Sequence, residues 1–562
     1  MGFLSDALKK RLMTQAVAMP ESPQPMIRAR QFDAISRLTP FGWSGGLVFI
    51  TALSAASFFL AGYFIIYWRN ADMDFMVVYS ALLLNDGQPA FFPHPAYFTI
   101  LCVKLWFQLL QYLHLLDTSS LSRMPSASNV PAFDAAMTNV IRAARLVAWL
   151  TATGFVLVFA GLARFLVRDW RVAMLGTFAF AFSGGLQFHM RILRSELIAG
   201  CFFAFALMIL IAVARQATIW RPLAIAFAAT LCVLSLENKI HAVLLIATLP
   251  LLIQLFGGAS SASVGFWDKS NWGAWLATVA AALLAGVLLY AAIPLISLGL
   301  SRTATTAMAL RPLLFGTFGV YQTGLLVWIG VGMLAFAKIW RICLTEALTA
   351  MFAAIAGASL GVMALLIEFN ASDVVVVINP LEEMITFADP SATSAVDSGN
   401  LLAAFGLLVS GVTGVLERYT FVLFTSPRPT VFLTWLIFPG IVYAWRRGER
   451  QAAAQAALLM LCAIGIDSIG IRRGLKVEYF ILTDPLIIIA GLVLLNRLTE
   501  LRFLGWAYPA GVALVALHVG ISQAEPIKLL TSRRNPERIC EWNQFYLPLL
   551  PMPWCDLPVK RP

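Results

Sequence analysis

Residues 195–216 read SELIAGCFFAFALMILIAVARQ, and between Glu196 and Arg215 no residue carries a charge. Apolar residues cover this stretch all round, which suits a buried or membrane-spanning helix and not the surface of a soluble domain. At about 1.5 Å per residue it is roughly as long as the hydrocarbon core of a bilayer is thick, about 30 Å. The same criterion, carried outward along the chain, gives thirteen spans: 44–68, 142–163, 172–188, 196–214, 222–236, 240–256, 274–298, 322–337, 347–367, 429–445, 452–468, 479–496 and 503–521. The expected fold class is an all-α polytopic membrane protein with about 13 transmembrane helices.

Composition agrees. The chain has 562 residues, 60% hydrophobic and 12% charged, against about 25% charged in soluble domains. That excludes a soluble enzyme, a disordered scaffold and a nucleic-acid-binding module. The net charge of +11 comes from basic residues scattered between apolar segments, not from a stripe of the kind that binds nucleic acid. Residues 1–43 carry Lys9, Lys10, Arg11, Arg28, Arg30 and Arg37 with no short apolar core and cleavage site, so no signal peptide is read there. Five of the seven cysteines lie in or beside apolar segments and are expected to be inert; Cys540 and Cys555 lie in a polar tail.

Charge also sets the expected orientation. With the N-terminus in the cytoplasm, the inner segments hold 19 Lys and Arg against 8 Asp and Glu, and all other segments hold 21 of each. The whole excess of positive charge falls on one side, as positively charged inner loops require. An odd span count then puts the C-terminal tail on the periplasmic side. There Cys540 and Cys555 are expected to form a disulfide, since such bonds persist in oxidising compartments.

Three outer segments are too long to be turns: 69–141, 368–428 and 522–562. The first holds two apolar stretches, 75–84 and 96–116, read as interfacial helices resting on the membrane surface; the second ends in a similar stretch, 400–416. Directly after the first span comes Asn70-Ala71-Asp72-Met73-Asp74-Phe75, and later Asn85-Asp86-Gly87-Gln88-Pro89. Asp72 and Asp74 would point about 200° apart on a helix, so both serve one site only if the backbone is irregular there. Asp74 is equally suited to capping the following helix.

The order of these elements resembles the GT-C superfamily of polyprenyl-phosphate-dependent glycosyltransferases. The resemblance runs through Asp74, Gly87-Gln88-Pro89 and His94-Pro95-Ala96-Tyr97. It continues through Arg142-Ala-Ala-Arg145-Leu146, Phe188-His189-Met190-Arg191-Ile192-Leu193-Arg194-Ser195-Glu196-Leu197 and Glu237-Asn238-Lys239. Near the twelfth span, Val477-Glu478-Tyr479-Phe480 through Pro485 is similar to an Arg-Tyr…Pro element, with Glu478 in place of the Arg. Phe75 stands where many relatives carry Glu. The motif order is most similar to the branch holding the bacterial lipid A aminoarabinose transferases and protein mannosyltransferases. The match covers residues 44–256 and thins beyond. It implies a GT-C type fold: a cytoplasmic segment 1–43, a catalytic module 44–256, a variable transmembrane module 257–521 and a periplasmic tail 522–562.

The resemblance further implies transfer of a sugar from a lipid phosphate or pyrophosphate to a lipid, glycan or protein acceptor at the outer face of a bacterial inner membrane. Such a reaction needs a carboxylate to accept the acceptor's proton and cations to stabilise the departing phosphate. The candidate base is Asp74, with Asp72 and Glu196 as alternates. Candidate phosphate and substrate ligands are His94, His189, Arg191, Arg194, Lys239, Arg302, Arg311, Arg472, Arg473, Lys476 and Tyr479. Outer arginines also snorkel to lipid headgroups, and Glu196 also suits a helix N-terminus. Lys239, set between two apolar runs, is harder to dismiss. Outer acids have the chemistry to hold a divalent cation against a phosphate, but two histidines 95 residues apart are no metal signature. The competing classes are an O-antigen polymerase or ligase, which relies on outer Arg and His, and a lipid-glycan transporter, for which internal repeats and broken mid-membrane helices are expected.

Overall fold

The computed structural model describes residues 42–88, 96–214, 221–257, 272–302, 315–364, 401–420, 431–470, 477–500, 507–522 and parts of 547–555. The chain divides into a small unit, residues 1–49, and a main unit, residues 50–562. Among the described residues there are seventeen α-helices and no strand. They are α1 (Trp43–Phe58), α2 (Ala71–Asn85), α3 (Tyr97–Tyr112), α4 (Val130–Leu166), α5 (Trp170–Ala181), α6 (Gly184–His189), α7 (Glu196–Ala214), α8 (Arg221–Asn238) and α9 (Ala242–Leu252). After these come α10 (Trp272–Arg302), α11 (Phe315–Ile339), α12 (Leu344–Ala364), α13 (Leu401–Thr420), α14 (Val431–Arg446), α15 (Arg450–Gly470), α16 (Phe480–Glu500) and α17 (Ala507–Ser522).

Among the described residues, eight stretches are long and apolar enough to cross a membrane: 43–63, 130–166, 196–214, 221–238, 272–294, 344–364, 450–468 and 480–498. The other five expected spans coincide with α5, α9, α14 and α17, which are shorter, and with α11, whose apolar stretch is Thr323–Ile339. On α10, Leu276, Val279, Leu283, Val287 and Tyr290 are exposed. Large apolar side chains spread along a helix in this way suit contact with lipid, since water would penalise a patch of that size.

Local sequence explains the two places where the helices depart from expectation. The second span is the inner part of a 37-residue helix, α4, which begins where Asn129 accepts a hydrogen bond from Ala132 N at 3.4 Å and Pro131 occupies the first turn. The 172–188 segment is two helices, not one. α5 stops at Ala181, and Ser183 starts α6 by accepting from Leu186 N at 3.2 Å. A serine followed by two glycines ends one helix and caps the next.

Small residues set the tightest contact. α8 and α12 approach so closely that a Cβ on Gly357 would lie 1.9 Å from Ala226 O. Thr230 Oγ1 uses the proximity to donate to Gly357 O at 2.8 Å. Close backbone approach through small residues is a membrane-helix packing device, because lipid provides no hydrophobic drive to bring helices together. α16 is the hub of the second half and packs against α5, α6, α7, α14, α15 and α17.

At one end of the bundle, α2, α3 and the extension of α4 form a folded platform. Its core includes Phe75, Val78, Leu82, Ile100, Phe107 and Val140. α2 does not rest one apolar face on a membrane, as expected of an interfacial helix. It is buried on every side from Asp74 to Leu83, because α3, α4 and a C-terminal segment cover it. Leu547, Leu550 and Met552 of that segment are buried in the same core, and Leu549 N donates to Tyr79 Oη at 3.3 Å. Leu547, Leu549, Leu550 and Met552 therefore lie on the same side as α2. The Asn85-Asp86-Gly87 turn closes the platform. Gly87 has φ +69°, Asn85 Nδ2 donates to Ser119 O at 2.8 Å, and Asp86 accepts from Ser122 N and Oγ at 2.7 and 2.6 Å.

Candidate functional site

Asp74 sits in the first turn of α2 and is 1% exposed. Its Oδ1 accepts from Leu193 N at 2.7 Å, and its Oδ2 pairs with Arg145 Nε at 3.2 Å. Of its two readings, capping does not hold: α2 already begins at Ala71, so Asp74 lies inside it and satisfies an amide of a different segment. The regular helix also removes the irregular backbone that Asp72 and Asp74 would need to serve one site. Arg145, fully buried on α4, bonds Ile65 O as well. It thereby ties together α4, the end of the first span and α2.

The bond to Leu193 places Asp74 beside the turn between α6 and α7, and this turn builds a charged cluster. Glu196, the first residue of α7, is fully buried and pairs with Lys239 Nζ at 2.8 Å and with Arg194 Nε at 3.5 Å. Arg194 also reaches Glu478 Oε2 at 3.3 Å through Nη1. Lys239 follows α8, whose last residue Asn238 accepts from Thr99 N and Oγ1 at 3.3 and 3.4 Å. That link sets the end of α8 against the start of α3 in the platform. Lys239 Nζ lies 5.9 Å from the centre of the Tyr479 ring, which stacks on His241 at 5.0 Å. Two cations and two carboxylates thus interlock across three separate helix ends.

His189 is buried beside the cluster, with Nε2 2.7 Å from Glu478 O. A carbonyl only accepts, so Nε2 carries the proton. Burial pushes the imidazole down to about 4, which keeps it neutral.

Arg191 is not part of the cluster. Its guanidinium is taken up by Gln187 O at 3.0 Å, Gln187 Oε1 at 2.7 Å and Ser57 Oγ. These bonds brace α6 against α1. Of the other expected site residues, the side chains of Asp72 and Arg302 and the whole of His94, Arg311, Arg472, Arg473, Lys476 and Cys540 lie outside the described residues. Cys555 is disulfide-bonded, and the other five described cysteines are free thiols. No three His, Cys, Asp or Glu side chains among the described residues converge as metal ligands.

Two participants carry no mark of a site residue in the sequence. Arg145 stands out there only as the start of a span, and Glu478 only as a departure from a motif. Beside them, Glu237 is buried on α8 with neither carboxylate oxygen hydrogen-bonded among the described residues. Comparison with protein-family models, curated proteins and solved structures finds no match to this chain.

Proposed function

We propose that the chain is a membrane glycosyltransferase of GT-C type with thirteen spans. In this reading it moves a sugar from a polyprenyl-phosphate or pyrophosphate donor to a lipid, glycan or protein acceptor at the outer face of a bacterial inner membrane. The N-terminus is cytoplasmic and the C-terminal tail periplasmic. What supports this most is the Arg194–Glu196–Lys239–Glu478 cluster, which stands where apolar helices end and the platform carrying Asp74 begins. A polyprenyl chain needs an apolar flank, and its phosphate needs cations at the boundary. Arg194 and Lys239 supply them, and charge-assisted bonds to a leaving phosphate strengthen as its charge develops.

Asp74 is the proposed base. Its two bonded oxygens also favour a second reading, in which it positions the Leu193–Arg194 turn and does not itself take a proton. One experiment addresses both. Purified protein is incubated with labelled polyprenyl-phosphate sugars, and transfer by wild type is compared with Asp74→Asn across pH. A base predicts a loss of about a hundredfold or more and disappearance of the acidic limb of the rate profile. A positioning role predicts a smaller loss with that limb retained. No transfer from any such donor would sink the reading.

A further inference from the structure

Arg194 is bound by two acids of unequal status. Glu196 is fully buried and shared with Lys239 at 2.8 Å. Glu478 is 13% exposed, meets Arg194 at 3.3 Å and stands at the rim of the cluster. Its backbone is held on the C-terminal side. His189 Nε2 donates to its carbonyl at 2.7 Å, and the next residue, Tyr479, is held between His241 and Lys239. Glu478 is thus the more exposed of the two carboxylates on Arg194, and Glu196 the one fixed by a second cation.

We propose that Glu478 is an internal anionic gate: in the ligand-free protein its carboxylate holds the Arg194 guanidinium, and a lipid phosphate binds by displacing it. The proposal deepens the glycosyltransferase reading and rests on its choice of a lipid-phosphate ligand. The physical argument is an exchange of anions. An arginine this buried carries a heavy desolvation cost, and Glu196, at 3.5 Å and shared with Lys239, offsets it only in part, so a second carboxylate completes the pairing while the site waits. A phosphate offers more oxygens to the planar five-donor guanidinium, in a geometry that allows two parallel bonds. The incoming ligand then replaces one charge-assisted contact with two. The displaced carboxylate is the one of the two that already touches solvent. Glu196 remains to hold Lys239 and to keep the two cations from repelling each other apart.

The gate is testable through the sign of its effect. Full-length protein in zwitterionic nanodiscs is titrated with a labelled polyprenyl phosphate, with uncharged polyprenol and inorganic phosphate as comparisons. Wild type, Glu478→Gln and Glu478→Ala are compared, each with its ligand-free thermal unfolding. Removing the competing carboxylate should lower the Kd for polyprenyl phosphate by about five- to tenfold, the scale of one partly exposed ion pair, and leave polyprenol unchanged. A residue that merely holds the fold together would change affinity in the opposite direction. Competition by inorganic phosphate alone would assign recognition to the headgroup, and its absence would assign it to headgroup and chain together; both are compatible with the gate. Glu478→Gln, which preserves size, decides the outcome, and Glu478→Ala replaces it if that variant unfolds. Unchanged or weaker binding by a folded variant overturns the gate and leaves the lipid-phosphate reading standing. Failure of wild type and variants alike to bind polyprenyl phosphate overturns both.

Discussion

Lys239 Nζ lies 2.8 Å from Glu196 Oε1, joining the residue after α8 to the first residue of α7 where water barely reaches. Each charge stands at the helix end whose dipole favours it, a cation at a C-terminus and an anion at an N-terminus. Their partnership is thus supported by both helices as well as by each other.

Breaking that pair should be costly, and removing it altogether much less so. Lys239→Met leaves Glu196 with Arg194 and is expected to destabilise by about 3 kcal/mol. The double variant Lys239→Met, Glu196→Leu should recover part of the loss. Unfolding midpoints in a single detergent, with Glu196→Leu alone closing the cycle, give the comparison, and a double-variant loss equal to the sum of the two single losses would show that the two residues are not coupled.

The Asp74–Arg145 pair makes a similar demand. Arg145→Met leaves a buried carboxylate without its guanidinium, at about 3 kcal/mol, and loosens the link to Ile65. Stability should fall in Arg145→Met more than in Asp74→Asn, because the amide still accepts from Leu193 N. Equal losses would argue against the pair as the dominant contact.

His189 imposes a pH dependence whose sign is fixed by burial. The folded imidazole is held down to about 4, against about 6.5 when unfolded. The unfolded chain therefore binds the extra proton first. The stabilisation is complete above about pH 6.5 and drains away between there and about pH 4, by roughly 3 kcal/mol in all. Comparing denaturation at pH 7 and pH 5 in wild type and His189→Gln isolates this share; identical pH slopes in the two would contradict it.

Helix approach at Gly357 is expected to tolerate nothing larger. Gly357→Val drives a side chain into Ala226 O and should cost about 3 kcal/mol or more, or prevent folding. A methyl group added at Gly286, on α10 with its exposed apolar side chains, would meet nothing within 4 Å. Gly286→Ala should be neutral or stabilise by up to about 1 kcal/mol. Expression and detergent melting of the two variants side by side provide the measurement.

Cys555 is expected to be joined to Cys540, closing a loop of about 15 residues that contributes roughly 3 kcal/mol. Without reductant, mass tagging of denatured protein should label the other five cysteines and neither of these, and Cys540→Ser should release Cys555 for labelling. Labelling of either one in the unreduced wild type would count against the pairing.

The sequence exposes the helices far better than it exposes their meetings. Lipid demands long uninterrupted apolar runs, so every expected span has a helix at its position. The extension of α4 is hidden because residues 130–141 are amphipathic and blend into a loop, although Asn129-Val130-Pro131 is a helix start in plain view. The break at Ser183 carries its own signal in the following glycine pair. Within the site, Arg194, Glu196 and Lys239 stand out because charges beside apolar runs are conspicuous. Arg191 is equally conspicuous, yet it bonds Gln187 and Ser57, since nothing local says which way a guanidinium turns. Arg145 and Glu478 are not legible as partners because they lie 71 and 284 residues from Asp74 and Arg194. Only the folded bundle brings such separations within bonding distance.

The docking of Leu547, Leu550 and Met552 onto the platform has a consequence for biosynthesis. The contact between Leu549 and Tyr79 spans 470 residues of chain. At roughly 5–20 residues per second, α2 emerges from the ribosome about half a minute or more before the segment that covers it. During that interval the helix bearing Asp74 has an unroofed apolar flank, and the nascent protein must wait for its distant lid, shielded by lipid or by a chaperone. Truncation before residue 547 would then make that waiting state permanent, uncovering the far end of the platform while leaving the apolar membrane helices free to insert.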